Sequence, residues 1–283
     1  MNGRESIRWA FNYGLWYPTE PQFQLAASCV QAEEKTRIGR FVFKKDAKAS
    51  LIGRLMMRKY VSENSGLAYA DIRFGRDDRG KPYLIGDHGG KPTLNFNVSH
   101  QGNYTVLAGE NGNTVKVGID VMKLEYSGGK TLSEFFRIMA RHFSSHEWEI
   151  IQGNHVTSDE QRLSMFRRHW CLKESYVKAT GTGITVDLQK ISFRIRTDNL
   201  EVGEVVTDTE LYLNGTRLED WKFEETLLDE SHCVAVALSG KDSVSDLVSF
   251  KCLDFNELMS GSTPLLSVDP AYSQNFFKKD EKR

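Results

Sequence analysis

The chain has 283 residues, of which 40% are apolar and 27% are charged. This length and composition are typical of one large or two medium globular domains and exclude a disordered or fibrous protein. The formal net charge of −1 excludes recognition of nucleic acid or an anionic membrane by an overall positive field. Any anion binding must therefore depend on local groups of arginine and lysine.

The four cysteines contain no CxxC pair, and each lies among apolar neighbours: Cys29, Cys171, Cys233 and Cys252. We predict small core residues in a reducing compartment rather than disulfides or zinc ligands. The first residues lack the apolar core of a signal peptide, and the longest apolar run, 233–238, is too short to cross a bilayer. We therefore expect a soluble protein of the cytosol.

The first elements follow from hydrophobic periodicity. Alternating apolar residues over 7–15 predict a strand with one buried face. Residues 23–30 predict a short helix that starts at Thr19 or Glu20, and residues 46–62 predict a longer one. The polar side of the longer helix carries Lys48, Arg54, Arg58 and Lys59. A solvated cationic face is one sufficient interpretation of these four side chains.

A turn rich in cations follows. Ile72 and Phe74 predict a short strand that Gly75 ends, residues 77–80 predict a turn, and Pro82 begins an extended segment. Three cations crowd onto this turn, namely Arg76, Arg79 and Lys81. Such a loop suits a phosphate, because arginine and lysine make charge-assisted hydrogen bonds to its oxygens. An ordinary charged hairpin tip explains the stretch equally well.

Residues 94–108 predict two strands joined by a turn at 99–102. The second strand is a nearly continuous apolar run, which is typical of a buried strand. His100 stands at the end of the first strand and is a candidate phosphate or substrate contact, although a lone histidine is more often structural.

Two carboxylates stand among apolar residues. Asp120 follows a predicted strand, and Glu174 lies on a helix predicted over 160–180. Removing an ionised carboxylate from water costs several kcal/mol unless it is paired, hydrogen-bonded or bound to a metal. Two carboxylates from separate elements would suit a hard cation. Two local ion pairs, with Lys123 and Lys178 as partners, are the alternative.

The remaining sequence predicts a capping box over 144–147 and a mixture of further strands. These strands lie near 191–195, 211–213, 221–223 and 233–238. The Ser-His pair and buried strand at 231–238 echo those at 99–108, which is a weak indication of two similar halves. Beyond Gly240 the composition shifts to serine, aspartate and lysine, and we expect a partly ordered extension there.

Five motifs follow one another at fitting distances: Arg37 to Phe43, Gly80-Lys81-Pro82, Phe96 to His100, Gly118-Ile119-Asp120, and Trp170-x-x-Lys173-Glu174-Ser175-x-x-Lys178. In this order they resemble the signature of the Sfp-type 4′-phosphopantetheinyl transferases. The resemblance covers Arg8 to Leu238 and is closest to the animal branch associated with L-aminoadipate-semialdehyde dehydrogenase.

The resemblance implies an α+β fold of α/β-type subdomains, arranged as two pseudo-symmetric halves of a monomer. The active site is expected in the cleft between them. We expect an N-terminal half over 1–124, a C-terminal half over 125–240 and an extension over 241–283. The implied reaction transfers 4′-phosphopantetheine from coenzyme A to a serine of an apo carrier protein and releases adenosine 3′,5′-bisphosphate.

By resemblance, Asp120 and Glu174 bind Mg²⁺ together with the pyrophosphate of coenzyme A. Asp120, Glu174 and Lys178 would be catalytic, with Glu174 as the base for the incoming serine. Matching coenzyme-binding positions are Arg37, Arg76, Asp77, Asp78, Arg79, Gly80, Lys81, Asn97, Val98, Ser99, His100, Asp120, Glu174, Ser175 and Lys178. Many bacterial members carry a third carboxylate where this chain has Met122, and a thioether is a poor ligand for a hard cation. Water or Gln101 would then complete the metal's coordination.

The implied partners are carrier proteins of fatty acid synthesis and lysine metabolism: fatty acid synthase, mitochondrial acyl carrier protein and an aminoadipate-type reductase. Neither nucleic acid nor a membrane is expected as a partner. Another Mg²⁺-dependent phosphoryl transferase is the alternative enzyme, weakened because the sequence contains no P-loop motif. A carrier-binding relative without strong catalysis would be expected to lack Asp120, Glu174 or Lys178, and all three are present.

Overall fold

The computed structural model describes residues 6–86, 94–112, 115–125, 129–183, 186–240 and 247–281. The chain divides into two compact units, Met1–Asn113 with Lys251–Arg283, and Thr114–Phe250. The predicted boundaries at 124 and 240 differ from this division. The strand that carries Asp120 belongs to the second unit, and the chain returns to the first unit at Lys251.

In chain order the helices are α1 (Glu20–Ser28), α2 (Ala32–Gly39), α3 (Lys44–Ser65), α4 (Leu132–Met139), α5 (Ser145–Gln152), α6 (Asp159–Thr180), α7 (Phe255–Met259) and α8 (Pro270–Phe277). The strands are β1 (Ile7–Asn12), β2 (Phe74–Arg76), β3 (Pro82–Leu84), β4 (Leu94–Gln101), β5 (Tyr104–Asn111), β6 (Val117–Lys123), β7 (Ile191–Arg194), β8 (Glu210–Leu213), β9 (Thr216–Arg217), β10 (Trp221–Asp229), β11 (His232–Ser239) and β12 (Lys251–Cys252).

The first unit contains a four-stranded sheet of order β12-β1-β5-β4 and a two-stranded sheet of β2 and β3, and α3 packs against β4 and β5. The prediction of one buried face for β1 is wrong, because both faces are covered. Arg8, at one of the alternate positions, is only 1% exposed. Its guanidinium pairs with the Glu110 carboxylate on β5 at 2.7 Å.

The interpretation of four α3 cations as a solvated face is also wrong. All four are buried: Lys48, Arg54, Arg58 and Lys59. Three of them form ion pairs, Lys48 with Glu281, Arg54 with Glu34 and Lys59 with Glu63. Arg58 instead donates to the backbone carbonyls of Tyr69 and Ile72. Because α3 is covered on several sides, its polar residues need partners rather than water.

The second unit repeats the topology of the first. One of its sheets has the order β10-β11-β6, and α6 packs against β6 and β11. A further sheet of order β7-β8-β9 lies between α6 and β10 in sequence. Both units thus run strand, long helix, hairpin, with the second hairpin strand in the centre. Every pairing between the strands named above is antiparallel except that of β1 with β12. The α+β class is therefore confirmed.

The segment after Gly240 contributes to the first unit. Residues 241–246, where the predicted extension begins, lie outside the described residues. From Lys251 the chain forms β12 beside β1, followed by α7 and α8. Phe276 stacks on Phe23 with ring centroids 3.8 Å apart, and Phe255 stacks on Trp16 at 5.3 Å. Aromatic packing therefore makes the described part of this segment, 247–281, part of the core.

All four cysteines are free thiols, as predicted. Cys29, Cys171 and Cys233 are buried core residues, whereas Cys252 is exposed on the edge strand β12. Within the described ranges, the helices are too short or too polar to span a bilayer.

A buried ion pair joins three elements of the second unit. The predicted capping box of α5 is present, and its Glu147 is fully buried. The Glu147 carboxylate lies 2.8 Å from Lys173 Nζ on α6 and accepts from the backbone N–H of Phe193 on β7. Lys173 also donates to the carbonyl of Leu188 at 2.9 Å. Burial lowers the pKa of Lys173, and the charge of Glu147 opposes that shift.

We expect Lys173→Met to destabilise the protein by about 3–5 kcal/mol, because it leaves the Glu147 charge buried without its cation. Urea unfolding measures this loss. The double variant Glu147→Gln/Lys173→Met should recover part of it, because both charges are then removed. Lys190→Met, at an exposed ion pair with Asp187, should leave the urea midpoint nearly unchanged. A Lys173→Met protein as stable as Lys190→Met would contradict the assignment.

Candidate active site

The site in the second unit begins with a close approach between a helix and a strand. Gly118, Asp120 and Met122 alternate along β6 and lie on the side that faces α6. A Cβ atom at Gly118 would lie 2.0 Å from the carbonyl oxygen of Ser175 and 2.4 Å from the backbone nitrogen of Ala179. Only glycine allows the α6 backbone to lie so close to the strand. Asp120, one pleat further on, consequently reaches the side chains of α6.

Asp120 is anchored to α6 by its side chain and its backbone. Its Oδ1 lies 2.6 Å from Lys178 Nζ, and the Cys171 thiol donates to its carbonyl oxygen at 3.1 Å. Lys123, the other cation considered as a local partner, forms a salt bridge with Glu125. The ion pair of Asp120 with Lys178 therefore joins two elements of the fold rather than neighbours in sequence.

Glu174 stands one helical turn before Lys178 and is half-buried. Burial raises the pKa of its carboxyl group, the charge of Asp120 raises it further, and Lys178 opposes the shift. The two carboxylates are thus close enough to repel each other. A divalent cation between them would relieve this repulsion, and Mg²⁺ commonly uses one or two protein carboxylates with substrate oxygens and water. The donor set therefore fits that ion.

The third ligand position named in the sequence analysis is occupied by a core residue. Met122 is 4% exposed and packs in an apolar cluster with Leu172 and Cys233. Among the described residues, no group of three or more His, Cys, Asp or Glu side chains is placed to hold a metal. Gln101 ends β4 in the first unit, and its role as a metal ligand stays a prediction. Ser175 is buried and donates to the Leu172 carbonyl within its own helix, and its contact with coenzyme A also stays a prediction.

The first unit contains a group of three guanidinium side chains, hereafter the arginine cluster: Arg37 on α2, Arg54 on α3 and Arg76 on β2. Arg54 pairs with Glu34 at 3.1 Å, and Arg37 donates to the Ser50 hydroxyl at 2.6 Å. Burial lowers the pKa of Arg54 to about 10, and the charges of Arg76 and Arg37 add to this shift while Glu34 opposes it. Burial and Arg76 likewise lower the pKa of Arg37. Three guanidinium groups whose charges act on one another beside a single carboxylate would suit an anion.

Arg54 and Glu34 were not predicted as site residues. The sequence holds only a partial signal for them. Ala47, Ser50 and Gly53, three residues apart, mark one side of α3 for close packing. The other sides of the helix are buried by other elements of the fold, and there its cations need partners.

The loop 76–81 is shaped by one of its own predicted coenzyme-binding residues. The Asp77 carboxylate accepts from the backbone N–H groups of Arg79 and Lys81 at 3.0 and 2.8 Å. Gly80 adopts φ +82°, a conformation that favours glycine. Arg76 donates to the Gly80 carbonyl at 2.7 Å. The hydrogen bonds of Asp77 therefore fix the backbone of the loop at the two residues, Arg79 and Lys81, that carry cations.

The turn predicted at 77–80 is present, whereas one predicted strand end and one predicted turn lie elsewhere in the structure. Gly75 is the middle residue of β2, opposite Tyr83, rather than its end. Strand β4 continues to Gln101, so the hairpin turn comes at 102–103 and His100 pairs with Thr105 inside the hairpin. Along β4 the predicted contacts differ in exposure: Asn97 and Ser99 are buried, Val98 is half-buried and His100 is exposed. Each unit by itself thus brings together part of the predicted set, the carboxylates with Lys178 in the second and Arg37 with Arg76 in the first.

Comparison with known proteins divides the chain in the same way. Residues 14–112 match the family described as 4′-phosphopantetheinyl transferase, N-terminal, and residues 116–237 match the 4′-phosphopantetheinyl transferase superfamily. The L-aminoadipate-semialdehyde dehydrogenase-phosphopantetheinyl transferases of Homo sapiens and Xenopus laevis are each 42% identical to the chain, over 98% of it and 93% of the relative. The 4′-phosphopantetheinyl transferase of Bacillus subtilis is 32% identical over 60% of the chain and 69% of the relative.

We expect Gly118→Ala to destabilise the second unit by about 1–3 kcal/mol, because the new methyl group meets the backbone of α6 and not a movable side chain. Gly129→Ala is the matched control, since Gly129 is exposed and has open space around it among the described residues. Thermal unfolding measures both. Equal melting temperatures for the two variants would show that the helix can move away from the strand without cost.

We expect Glu174→Gln to raise the melting temperature in metal-free buffer at neutral pH. A carboxyl whose folded pKa is raised binds its proton more tightly in the folded state, so its ionised form lowers stability as the pH rises through that pKa. The gain should disappear as the pH falls into the ordinary carboxyl range. The exposed Glu149→Gln is the matched control and should show no such dependence. A Glu174→Gln protein less stable than wild type at neutral pH would contradict the repulsion.

Proposed function

The chain belongs to the 4′-phosphopantetheinyl transferase superfamily, and from this we propose that it acts as a holo-[acyl-carrier-protein] synthase. In this reaction a serine hydroxyl of an apo carrier protein attacks the phosphorus of coenzyme A that bears the pantetheine arm. The bond from that phosphorus to the bridging oxygen breaks, and adenosine 3′,5′-bisphosphate leaves. The observation that carries the proposal is the arrangement of Asp120, Glu174 and Lys178 on β6 and α6.

We propose that Asp120 and Glu174 hold Mg²⁺. When bound, the ion supplies positive charge to the pyrophosphate oxygens of coenzyme A. The support for this assignment is the mutual repulsion of the two carboxylates, which a cation would relieve. Lys178 is oriented by its ion pair with Asp120 and adds a second positive charge beside them.

Glu174 also suits the role of general base. Its raised pKa makes its carboxylate a stronger base than that of an ordinary glutamate. In the proposed step Glu174 takes the proton of the serine hydroxyl as the oxygen–phosphorus bond forms. Burial is the larger cause of that raised pKa, and it persists when a bound cation offsets the charge of Asp120.

The arginine cluster supports the proposed donor, because coenzyme A carries a 3′-phosphate as well as a pyrophosphate. Arg37 and Arg76 are members of the cluster, and we propose that they bind the 3′-phosphate. The loop 76–81 and residues 97–100 complete the proposed contacts with coenzyme A. Arg54 adds a third charge, although its ion pair with Glu34 partly compensates it.

The names of the animal relatives connect them with L-aminoadipate-semialdehyde dehydrogenase. By extension we propose the carrier domain of an aminoadipate-type reductase as an acceptor for this chain. The carriers of fatty acid synthase and mitochondrial acyl carrier protein are further proposed acceptors. A monomeric, cytosolic enzyme stays our expectation.

The test incubates the purified protein with coenzyme A, Mg²⁺ and several apo carrier proteins, and measures intact carrier mass. We expect the mass of one phosphopantetheine to be added to the carrier. Asp120→Asn and Glu174→Gln should each lower the transfer rate by about two orders of magnitude or more, because they remove the metal ligands and the base. Glu149→Gln serves again as the matched control.

The absence of transfer to every apo carrier would overturn the proposed function. Near-normal turnover of Asp120→Asn at limiting Mg²⁺ would instead overturn the metal assignment alone. Circular dichroism of each variant separates a loss of chemistry from a loss of folding.

A further inference from the structure

Helix α2 carries Arg37 in its last turn, and α2 is only eight residues long. Gln31 occupies its N-cap position, but the side chain of Gln31 accepts from the backbone N–H of Phe74 at 2.7 Å. A short helix of this kind has little stability of its own. The position of Arg37 must therefore depend on what packs against α2.

Helix α8 packs against α2, and α8 together with Lys279 donates hydrogen bonds to backbone carbonyls on both sides of Arg37. The Tyr272 hydroxyl donates to the carbonyl oxygen of Lys35 at 2.9 Å. Lys279, just after α8, donates from Nζ to the carbonyl oxygens of Gly39 and Phe41 at 3.1 and 2.6 Å. Gly39 ends α2 and Phe41 lies just beyond it. The last carbonyl oxygens of a helix lack N–H donors from the helix itself, so a cation beside them is favourable.

Close packing reinforces these hydrogen bonds. The Tyr272 ring lies so near the α2 backbone that a Cβ atom at Gly39 would be 2.9 Å from its Cε2 atom. Lys35 Nζ lies 4.8 Å from the centroid of the same ring and 3.2 Å from Asp269 at the start of α8. The charge of Arg37 also acts on the Tyr272 hydroxyl, whose pKa is raised to about 12 by burial and by Asp269. Tyr272 is thus a neighbour of the arginine cluster.

Helix α8 is itself fixed to the core of the first unit, so it can serve as a support. Phe276 stacks on Phe23 of α1. Beyond α8, Glu281 forms an ion pair with the buried Lys48 on α3 at 2.6 Å, and the carbonyl of Asp280 accepts from the backbone N–H of Lys44. The contacts of Tyr272 and Lys279 therefore connect α2 to an element that is itself packed against the core.

We infer that Tyr272 and Lys279 are positioning residues that hold the last turn of α2, so that Arg37 is ready to bind a phosphate on the adenosine part of the donor. This inference deepens the proposed function and rests on its choice of donor. Both residues lie beyond 237, where the match to the superfamily ends. The segment around α8 would therefore contribute to ligand binding, by positioning Arg37, as well as to the core of the first unit.

The test compares adenosine 3′,5′-bisphosphate with adenosine 5′-monophosphate, which lacks the 3′-phosphate, by titration calorimetry. Tyr272→Phe removes one hydroxyl group and keeps the ring, and Lys279→Gln removes the donated charge. We expect each variant to bind the bisphosphate about three- to tenfold more weakly, the range that loss of one hydrogen bond produces. Binding of the monophosphate should change by less than about twofold. Arg37→Ala is the positive control and should lose more of the preference for the bisphosphate than either variant.

Lys278→Gln is the matched control, because Lys278 is the exposed neighbour of Lys279 and the change in charge is the same. Equal weakening of both ligands, or unchanged binding of the bisphosphate, would overturn the inference. The inference would also be overturned if the wild-type protein bound adenosine 3′,5′-bisphosphate no more tightly than adenosine 5′-monophosphate. The titration requires no carrier protein, so a protein that shows the expected preferences but transfers nothing would disprove the proposed function and leave this inference intact.

Discussion

The approach of the α6 backbone to β6 at Gly118 is the constraint on which the chemistry of the second unit depends. The carbonyl of Ser175 and the amide of Ala179 occupy the space that any side chain at position 118 would need. Because strand side chains alternate, Asp120 lies on the same side of β6 and meets Lys178 at 2.6 Å. Gly118, which has no side chain, thus sets the distance between β6, which carries Asp120, and α6, which carries Glu174 and Lys178.

Features that depend on neighbouring residues could be predicted from the sequence. Burial of a side chain by residues remote in sequence could not. Asp120 and Glu174 stood out because each is a carboxylate among apolar neighbours on a regular element, and the capping box at Ser144 was found for the same local reason. The burial of Lys48 on α3 depends on Glu281, which is remote in sequence. No periodicity within 46–62 contains that information.

The division of the chain into compact units differs from the halves that the resemblance implied. Val117 to Lys123 follow the first hairpin directly in sequence and were expected in the first half. Their hydrogen bonds go instead to β11, where Asp120 lies opposite Ala235. Asp120 and Glu174 consequently belong to the same compact unit. Their relative positions are therefore set by contacts within that unit.

Adjacent residues of the motif at 170–178 serve different ends, because successive side chains on a helix point about 100° apart. Lys173 enters the core, where Glu147 and the carbonyl of Leu188 hold its ammonium group. Glu174 lies on the neighbouring side with Asp120 and Lys178. Fixing Lys173 fixes the rotation of α6 about its axis, and that rotation determines where Glu174 points. The ion pair in the core is therefore part of the reason that a carboxylate with a raised pKa stays beside Asp120 despite their repulsion.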